Sequence, residues 1–503
     1  MKKINKIIVL GGGTSGLTSA LLLKTQFPHI DIKVIESSAV GVIGVGEGST
    51  EHWRNFCETI GISLEDSLVE CDATLKTGIK FIDWGVPDYW HATCEPFSRP
   101  FGDYLAIYAK LISDDVPPEG IVLKRIPVNS IPKDWVEGTA PCPVNQFHFN
   151  TFSTNKYLHK LCDERKIPTV DDKIVDVELD DEGYISKLIG EKDTHTADFF
   201  IDSSGFARVL MKKLGAKWES YKDRLWVNSA IAFPTEDTDE YPCYTLSTAM
   251  SAGWMWNTPV RGRWGNGYVF DDRYIDFDQA QAEVEAKLGR KVEIAKKIKF
   301  DAGKLDRAWI KNCASVGLCT SFVEPLESTA ITQGILQTFM IMNMLNSWSS
   351  SGDDVAEMYN DRVNDICKNI LDFIAIHYYV PKDDTPFWKD LKDNRESWMT
   401  DFLKEKIPQW HNRMPSIIEF DKKYLPFTAD NWAVTLHGLK LFNVPALKHE
   451  YDLIPQYAKD YVDDVIFQEV RDDIDYPLVS HKEAVLQFVD NYNKRKEEIF
   501  NEN

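Results

Sequence analysis

The segment 324–329 combines two glutamates with residues that can begin a helix, in the order Glu-Pro-Leu-Glu-Ser-Thr. The proline fixes its own φ and disfavours helical geometry in the residue before it, so a chain break or a helix start is predicted here. Ser328 or Thr329 is expected to cap the apolar helix that follows, over residues 331–345. The first N–H groups of such a helix favour a small anion. The alternative is an ordinary helix cap with solvated glutamates.

A glycine-rich turn near the N-terminus lies in residues 4–36, which have the pattern strand, turn, helix, strand. Gly11, Gly13 and Gly16 fit the spacing GxGxxG of a dinucleotide-binding turn. Gly11 permits the tight turn, Gly13 lets a pyrophosphate approach the backbone, and Gly16 lets the helix pack on the strand. Glu36 ends the second strand, where an acid accepts a hydrogen bond from a ribose hydroxyl. This context favours dinucleotide binding over a chance glycine turn.

Lys76 and Lys80 lie among apolar residues in the segment 73–81. Most lysines in such surroundings extend their ammonium group along the apolar surface to water. A lysine held in a dry pocket can instead donate hydrogen bonds or act as a nucleophile. The residues alone favour the first interpretation.

Several segments would position these residues within a nucleotide-binding domain. Residues 41–50 form a second glycine-rich loop, which is either a surface turn or a strap beside the dinucleotide. Residues 147–161 are predicted to form a helix with two histidines on its face, and residues 174–188 a hairpin. The apolar strand at 199–205 is expected to close the nucleotide-binding sheet, which makes the domain discontinuous in sequence.

Two tryptophans alternate along residues 253–259, as side chains on one face of a strand do. Structural packing explains such a pair well enough. The Ser/Gly/Asp segment 349–354 is expected to separate residues 1–350, a discontinuous nucleotide-binding domain with inserted substrate-side segments, from a mostly helical domain of residues 351–503. The predicted fold class is therefore α/β with α+β character.

The composition excludes some classes of protein. The 503 residues carry a net charge of -21, which disfavours general attraction to nucleic acid or to anionic membranes. The nine cysteines lack CxxC or zinc spacing, so we expect reduced thiols, a cytoplasmic protein and no metal site. No signal peptide and no apolar run of membrane-spanning length is predicted.

Taken together, these motifs resemble the flavin-dependent halogenases of the tryptophan-halogenase family, over nearly the whole chain. The matching motifs are Gly11-x-Gly13-x-x-Gly16, Gly46-Glu47-Gly48-Ser49, Leu75-Lys76-Thr77-Gly78-Ile79-Lys80-Phe81, Trp254-x-Trp256-x-x-Pro259, Phe322-x-x-Pro325-x-x-Ser328, and Asp372-Phe373-Ile374-x-x-His377-Tyr378 with Phe387-Trp388. The paired tryptophans together with the Glu-Pro-Leu-Glu-Ser-Thr run are specific, whereas any single motif is not. As a whole, the chain is similar to a cyanophage-encoded member.

The resemblance implies an FAD-binding Rossmann-like domain of the flavin monooxygenase type and a helical substrate domain. FAD is expected to contact the glycine turn, the strap and the region around the helix start. The residues implied are Gly11, Gly13, Thr14, Ser15, Gly16, Glu36, Glu47, Gly48, Ser49, Ile174, Gly317, Leu318 and Ile331. Reduced FAD is expected from a separate flavin reductase.

The resemblance also implies the catalytic residues. The family's catalytic lysine falls on Lys76 and not on Lys80, because it precedes the Ile-Lys-Phe element. The catalytic glutamate falls on Glu327, directly before Ser328. Lys76 would receive hypohalous acid and pass its halogen to an electron-rich aromatic molecule. Glu327 would orient this electrophile or take the ring proton, so the fold is expected to bring the two side chains together.

The halide, which can be chloride, bromide or iodide, is implied to bind at the N–H groups of Thr329 and Ala330. Trp254 and Trp256 are implied to keep the substrate away from the flavin, which suppresses ordinary monooxygenation. Ala330 departs from the family, which has glycine there, and this puts the halide preference in question.

There are two further departures, of which the second concerns the substrate. The family has isoleucine where this chain has Thr258, and its tryptophan-specific members have His-Pro-Phe where residues 99–101 are Arg-Pro-Phe. Free tryptophan is thereby disfavoured. The alternatives are an aromatic flavin monooxygenase, against which the paired tryptophans and Lys76 argue, and a non-catalytic flavin-binding protein. No nucleic-acid or membrane partner is expected, and a homo-oligomer stays open.

Overall fold

The structure is a computed structural model that describes residues 3–41, 47–92, 109–112, 129–139, 144, 146–420, 424–469 and 477–502. These residues form a mixed α/β fold whose C-terminal region is helical, which confirms the predicted fold class. No helix in these ranges has the length and apolar character needed to cross a bilayer.

The strands are distributed along the whole described chain. They are β1 (Lys6–Leu10), β2 (Asp31–Glu36), β3 (Glu47–Gly48), β4 (Thr74–Lys76), β5 (Gly78–Ile82), β6 (Tyr89–Ala92), β7 (Ser130–Pro132), β8 (Gln146–Phe149), β9 (Thr169–Asp171), β10 (Ile174–Leu179), β11 (Ile185–Gly190), β12 (Thr194–His195), β13 (Phe199–Asp202), β14 (Trp218–Ser220), β15 (Ser229–Glu236), β16 (Tyr244–Met250), β17 (Gly253–Val260), β18 (Arg263–Phe270), β19 (Lys296–Lys299), β20 (Gly303–Leu305), β21 (Trp309–Ile310), β22 (Cys313–Ser315), β23 (Ser321–Phe322) and β24 (Leu478–Ser480).

The helices become longer and more frequent after residue 328. They are α1 (Thr14–Gln26), α2 (His52–Ile60), α3 (Leu64–Glu70), α4 (Lys133–Val136), α5 (Thr151–Glu164), α6 (Val209–Lys213), α7 (Phe277–Leu288), α8 (Thr329–Ser351), α9 (Asp353–Ile376), α10 (Pro386–Asp393), α11 (Arg395–Trp398), α12 (Asp401–Trp410), α13 (Ala429–Gly438), α14 (Val444–Asp452), α15 (Gln456–Glu469) and α16 (His481–Glu502).

The chain divides into two compact units, each made of three separate segments. The first unit comprises Met1–Ala73, Phe149–Lys222 and Asp301–Lys368. The second unit comprises Thr74–His148, Asp223–Phe300 and Asn369–Asn503. A domain boundary at residue 350 stays a prediction. The two units are defined by compactness, and each combines segments from before and after that residue.

The first unit is built on a six-stranded sheet with the order β21-β22-β13-β1-β2-β9. Strand β1 pairs in parallel with both β2 and β13, and its residues Ile7 to Val9 are fully buried. The predicted β-α-β unit is confirmed, with α1 connecting β1 to β2. Strand β13 lies inside the sheet beside β1, so a segment far along the chain completes this sheet.

Two local predictions in the first unit have different outcomes. Strands β10 and β11 form the predicted hairpin. The helix predicted from residue 147 is wrong at its start, because residues 146–149 form strand β8 and α5 begins at Thr151. The reason is Asn150, whose side chain accepts from the N–H of Phe152 at 3.1 Å and caps the helix there.

The second unit contains a seven-stranded sheet with the order β19-β15-β18-β17-β16-β5-β6. Its helices α12 and α13 bury aromatic side chains against one another, as in the pair Trp410 and Trp432, whose rings are 5.1 Å apart. Most of the tryptophans that this unit contributes are thus core residues. The cysteines in the described ranges are buried and unbridged; they are Cys57, Cys71, Cys162, Cys243, Cys313, Cys319 and Cys367.

Candidate active site

Helix α8 begins at Thr329, two residues earlier than the sequence predicted. A 3₁₀ turn over Pro325–Glu327 precedes it, and the N–H of Ser328 donates to the carbonyl of Pro325 at 3.2 Å. Ser328 occupies the N-cap position in a left-handed conformation, with φ 56° and ψ 32°. Its side chain makes no capping hydrogen bond, so the predicted capping role is wrong. The backbone turn itself starts the helix.

Both glutamates of this segment are buried. Glu324 is 1% exposed and Glu327 is 2% exposed, so the interpretation of solvated glutamates is wrong. Thr329, the first residue of α8, is also buried. Because carboxyl groups are costly to bury, two of them beside a helix start indicate a built site rather than a surface cap.

Buried polar side chains on α8 hold the neighbouring backbone in place. The Gln337 side-chain oxygen accepts from the N–H of Gly317 at 2.7 Å, which fixes the 3₁₀ turn Gly317–Cys319. The hydroxyls of Thr332 and Thr50 lie 2.5 Å apart, which ties the strap's end to α8. The sequence analysis did not single out these residues. In the sequence, they differ from their surroundings only as polar residues within an otherwise apolar helix.

A cavity of about 500 Å³ in the first unit joins the glycine turn to the start of α8. The residues expected at the cofactor or the halide that line this cavity are Gly11, Gly13, Thr14, Ser15, Glu36, Ile174, Leu318, Ala330 and Ile331. Two helix N-termini, those of α1 and α8, therefore contribute to a single cavity.

The three glycines of the turn have separate physical roles. Gly11 has φ +124°, and a Cβ there would lie 2.2 Å from the carbonyl oxygen of Ser203. A Cβ on Gly16 would lie 1.9 Å from the carbonyl oxygen of Gly11. At Gly13 a Cβ would meet no protein atom within 4 Å, and Gly13 lines the cavity. This open cradle at a helix start fits the pyrophosphate of a dinucleotide.

Helix α5 supplies a cavity wall that the sequence analysis missed. His159 Nε2 lies 3.3 Å from Glu36 Oε2, and the hydrogen bond to this carboxylate raises the pKa of His159. Asn155 donates to the carbonyl oxygen of Gly12 at 2.7 Å. Both side chains line the cavity. In the sequence, these two residues are four apart on a helix and therefore lie on the same face. Polar pairs with this spacing are too common to predict a cavity wall.

Other predicted contacts lie partly outside the described residues. Residues 42–46 of the strap and residues 99–101 are not among them. Glu47 and Gly48 form the short strand β3, and Ser49 is buried.

The two lysines of the β4–β5 region, in the second unit, have different surroundings. Lys80 lies on β5 with its side chain 23% exposed and Nζ 3.7 Å from Asp88 Oδ2, as expected for a lysine that reaches water. Lys76 lies on β4 and is 0% exposed, so the same interpretation is wrong for Lys76. Strand β4 pairs with β8, which places Gln146 opposite Lys76.

The neighbourhood of Lys76 is polar and buried. The Thr74 hydroxyl donates to the carbonyl oxygen of Pro259 at 2.7 Å, and His148 Nε2 lies 2.9 Å from the Thr245 hydroxyl. Burial, and next the positive charge of Lys76, hold the pKa of His148 well below its usual value. His148 is therefore a neutral neighbour of this lysine at physiological pH.

Trp254 and Trp256 lie on strand β17 of the second unit, with ring centroids 6.1 Å apart. Trp254 is buried, and the ring of Trp256 lies across the backbone of Gly267 on β18, where a Cβ would come within 2.0 Å of the ring. The pair is thus held rigidly by the sheet. Thr258 on the same strand is buried. Whether Lys76 and Glu327 meet stays a prediction.

The chain matches known proteins over most of its length. The family model described as tryptophan halogenase matches residues 6–116 and 120–451. The tryptophan 6-halogenase SttH from Streptomyces toxytricini is 28% identical over 462 residues, which cover 82% of this chain and 84% of that protein. The tryptophan 7-halogenase RebH from Lentzea aerocolonigenes is 28% identical over 449 residues, covering 82% and 83%.

Solved structures give the same result for the fold. A tryptophan halogenase from Shewanella frigidimarina superposes with a TM-score of 0.87 at 25% identity, covering 97% of this chain and 98% of the other. BrvH, a flavin-dependent halogenase from Brevundimonas sp. BAL3, superposes with a TM-score of 0.80 at 25% identity, covering 97% and 100%.

Two substitutions in the glycine turn separate ligand binding from packing. Gly13→Val should abolish FAD binding and leave the unfolding of the FAD-free protein near wild type, because its side chain enters only cavity space. Gly16→Ala should destabilise the FAD-free protein itself, since its Cβ meets backbone. Flavin titration and urea unfolding of both variants check this. Wild-type FAD affinity in Gly13→Val would show that the cavity is not the pyrophosphate site.

Proposed function

Because the chain belongs to the tryptophan halogenase family, we propose that it uses reduced FAD, O₂ and a halide to halogenate an electron-rich aromatic small molecule. The chain is an enzyme of the oxidoreductase class, and FAD is the cofactor that the family implies. Tryptophan is the substrate named for several relatives and is therefore the first candidate to test. Reduced FAD would come from a separate flavin reductase. A cyanophage origin and a place in the host cytoplasm stay predictions from the sequence.

The observation that carries the proposal is the shared cavity of the glycine turn and the first turn of α8. N–H groups at the start of α1 would bind the pyrophosphate of FAD, and Glu36 would accept from a ribose hydroxyl. Glu47, Gly48 and Ser49 of the strap would close over the cofactor. The backbone of Gly317, held by a buried glutamine, would face the flavin together with Leu318.

The halide would rest on the N–H groups of Thr329 and Ala330, which are the first two residues of α8 and have no acceptor within the helix. The left-handed Ser328 gives this turn its shape. Reduced FAD would supply two electrons to O₂ and the halide two more, so that, with one proton from solvent, hypohalous acid and water would form and FAD would be left oxidised.

Lys76 and Glu327 would act on the electrophile and on the substrate. The buried Lys76 side chain would, as an ammonium, donate a hydrogen bond to hypohalous acid. Alternatively, after losing a proton, its amine would exchange an N–H bond for an N–halogen bond with release of water; either form presents an electrophilic halogen. The aromatic ring attacks the halogen, and the cationic ring then loses its proton. Glu327, which is also buried, would orient the electrophile or accept this proton. The rigid pair Trp254 and Trp256 would keep the ring away from the flavin.

The roles of the two lysines provide the test. Lys76→Ala should keep flavin binding and flavin oxidation but lose halogenated product by about 10²-fold or more, because a positioned donor in a water-poor site contributes a few kcal/mol. Lys80→Ala is the matched control, since its ammonium pairs with Asp88 near water. The readout is halogenated product per flavin oxidised. If Lys80→Ala were inactive and Lys76→Ala active, the catalytic lysine would be Lys80 and not Lys76. Full activity in both variants would show that neither lysine takes part in the chemistry.

Ala330 tests the halide position. Ala330→Gly should change the relative rates with chloride, bromide and iodide, because Ala330 lines the cavity and belongs to the turn that would hold the ion. Chloride should be the poorest halide in both forms, since heavier halides are oxidised more easily. Competition assays with equimolar halides measure the profile. A profile identical to wild type would show that the halide binds elsewhere or that the methyl group is incidental.

A further inference from the structure

Strand β4, which carries Lys76, lies at the edge of its sheet and pairs with β8 on one side. The N–H of Leu75, directly before Lys76, donates to Nε2 of His481 at 2.9 Å. A side chain from the C-terminal segment therefore replaces a strand partner at this position. Without this acceptor, the outward-facing N–H of the edge strand would be unpaired and the backbone of the strand would be held less firmly in position.

The geometry fixes the protonation state of His481. Its Nε2 accepts from Leu75, so the ring proton must be on Nδ1, which lies 3.2 Å from the carbonyl oxygen of Tyr241. His481 is 0% exposed, and burial lowers its pKa to about 4. A neutral imidazole has one donor and one acceptor, and both are used here.

The C-terminal segment is docked at several points in the second unit, and this sets the position of His481. Strand β24 pairs antiparallel with β7, and the N–H of His481 donates to the carbonyl oxygen of Asn129 at 2.9 Å. Helix α16 begins at His481, and its buried residues follow helical spacing on one face; they are His481, Ala484, Val485, Phe488 and Tyr492. This segment lies beyond residue 451, where the family match ends.

We propose that His481 is a positioning residue for Lys76. By accepting from the backbone directly before the lysine, it fixes the course of β4 and thereby the direction in which the Lys76 ammonium is presented. The inference rests on the proposed function of Lys76. Its consequence is specific: loss of this hydrogen bond misplaces the lysine, while FAD binding and flavin oxidation, which belong to residues of the first unit, continue.

Three variants test the role of His481. His481→Ala removes the acceptor, and His481→Gln keeps an oxygen acceptor near the position of Nε2. Val485→Ala is the matched control, because it removes buried packing from the same helix and leaves His481 intact. We expect His481→Ala to lower halogenated product per flavin oxidised by about tenfold, since small misplacements of catalytic groups have effects of this order or larger. His481→Gln should recover most of the ratio. Val485→Ala should reduce thermal stability and keep the ratio.

Hydrogen exchange gives a readout that does not depend on activity. The Leu75 amide should exchange faster in His481→Ala than in wild type and in Val485→Ala, because only the first variant removes its acceptor. A wild-type product ratio in His481→Ala, or an equal loss in Val485→Ala, would overturn the role of His481 and leave the proposed function standing. A wild-type protein that halogenates nothing would overturn the proposed function, and the inference with it.

Discussion

Two helices that face one cavity begin without a side-chain cap, and the site depends on this constraint. Helix α1 starts after Gly13 and α8 after the left-handed Ser328, and neither residue makes a capping hydrogen bond. Helices α3, α5, α7 and α12 instead begin at residues whose side chains accept first-turn N–H groups. Helices α2, α10 and α14 also lack a side-chain cap, but their residues do not line this cavity. Uncapped helix starts keep donors and positive potential available to an anion. A pyrophosphate and a halide are the anions that the proposed function requires.

The two units stabilise their functional groups by different physical means. In the first unit, buried polar side chains of α8, such as Gln337, hold backbone turns around the cavity. In the second unit, Lys76 is buried on the edge strand β4. The hydroxyl of Thr74 on this strand donates to the carbonyl oxygen of Pro259, and the N–H of Leu75 donates to the side chain of His481. Buried hydrogen bonds of this kind fix the positions of the groups that they join. The same arrangement makes the site sensitive to substitutions that touch no substrate.

The sequence predicted what depends on local pattern and missed what depends on packing. The β-α-β unit, the hairpin and the strand with paired tryptophans follow local periodicity, and they are present. The helix α5 was predicted to start too early. Its true start is set by the side chain of Asn150, which caps the helix and leaves no mark in the apolar pattern. The burial of Glu324 and Lys76 depends on distant segments covering them, which no local pattern shows. The contact of His159 with Glu36 and that of His481 with Leu75 were not predicted for the same reason, because the partners lie far apart in sequence.

The proposed function requires that oxygen chemistry is directed to a halide rather than to the substrate. The most direct test is mass spectrometry of tryptophan and other electron-rich aromatics after incubation with the protein, FAD, a flavin reductase and O₂, with and without each halide. We expect products in which halogen replaces hydrogen, formed only when halide is present. Hydroxylated product formed equally well without halide would contradict the account and favour an aromatic monooxygenase.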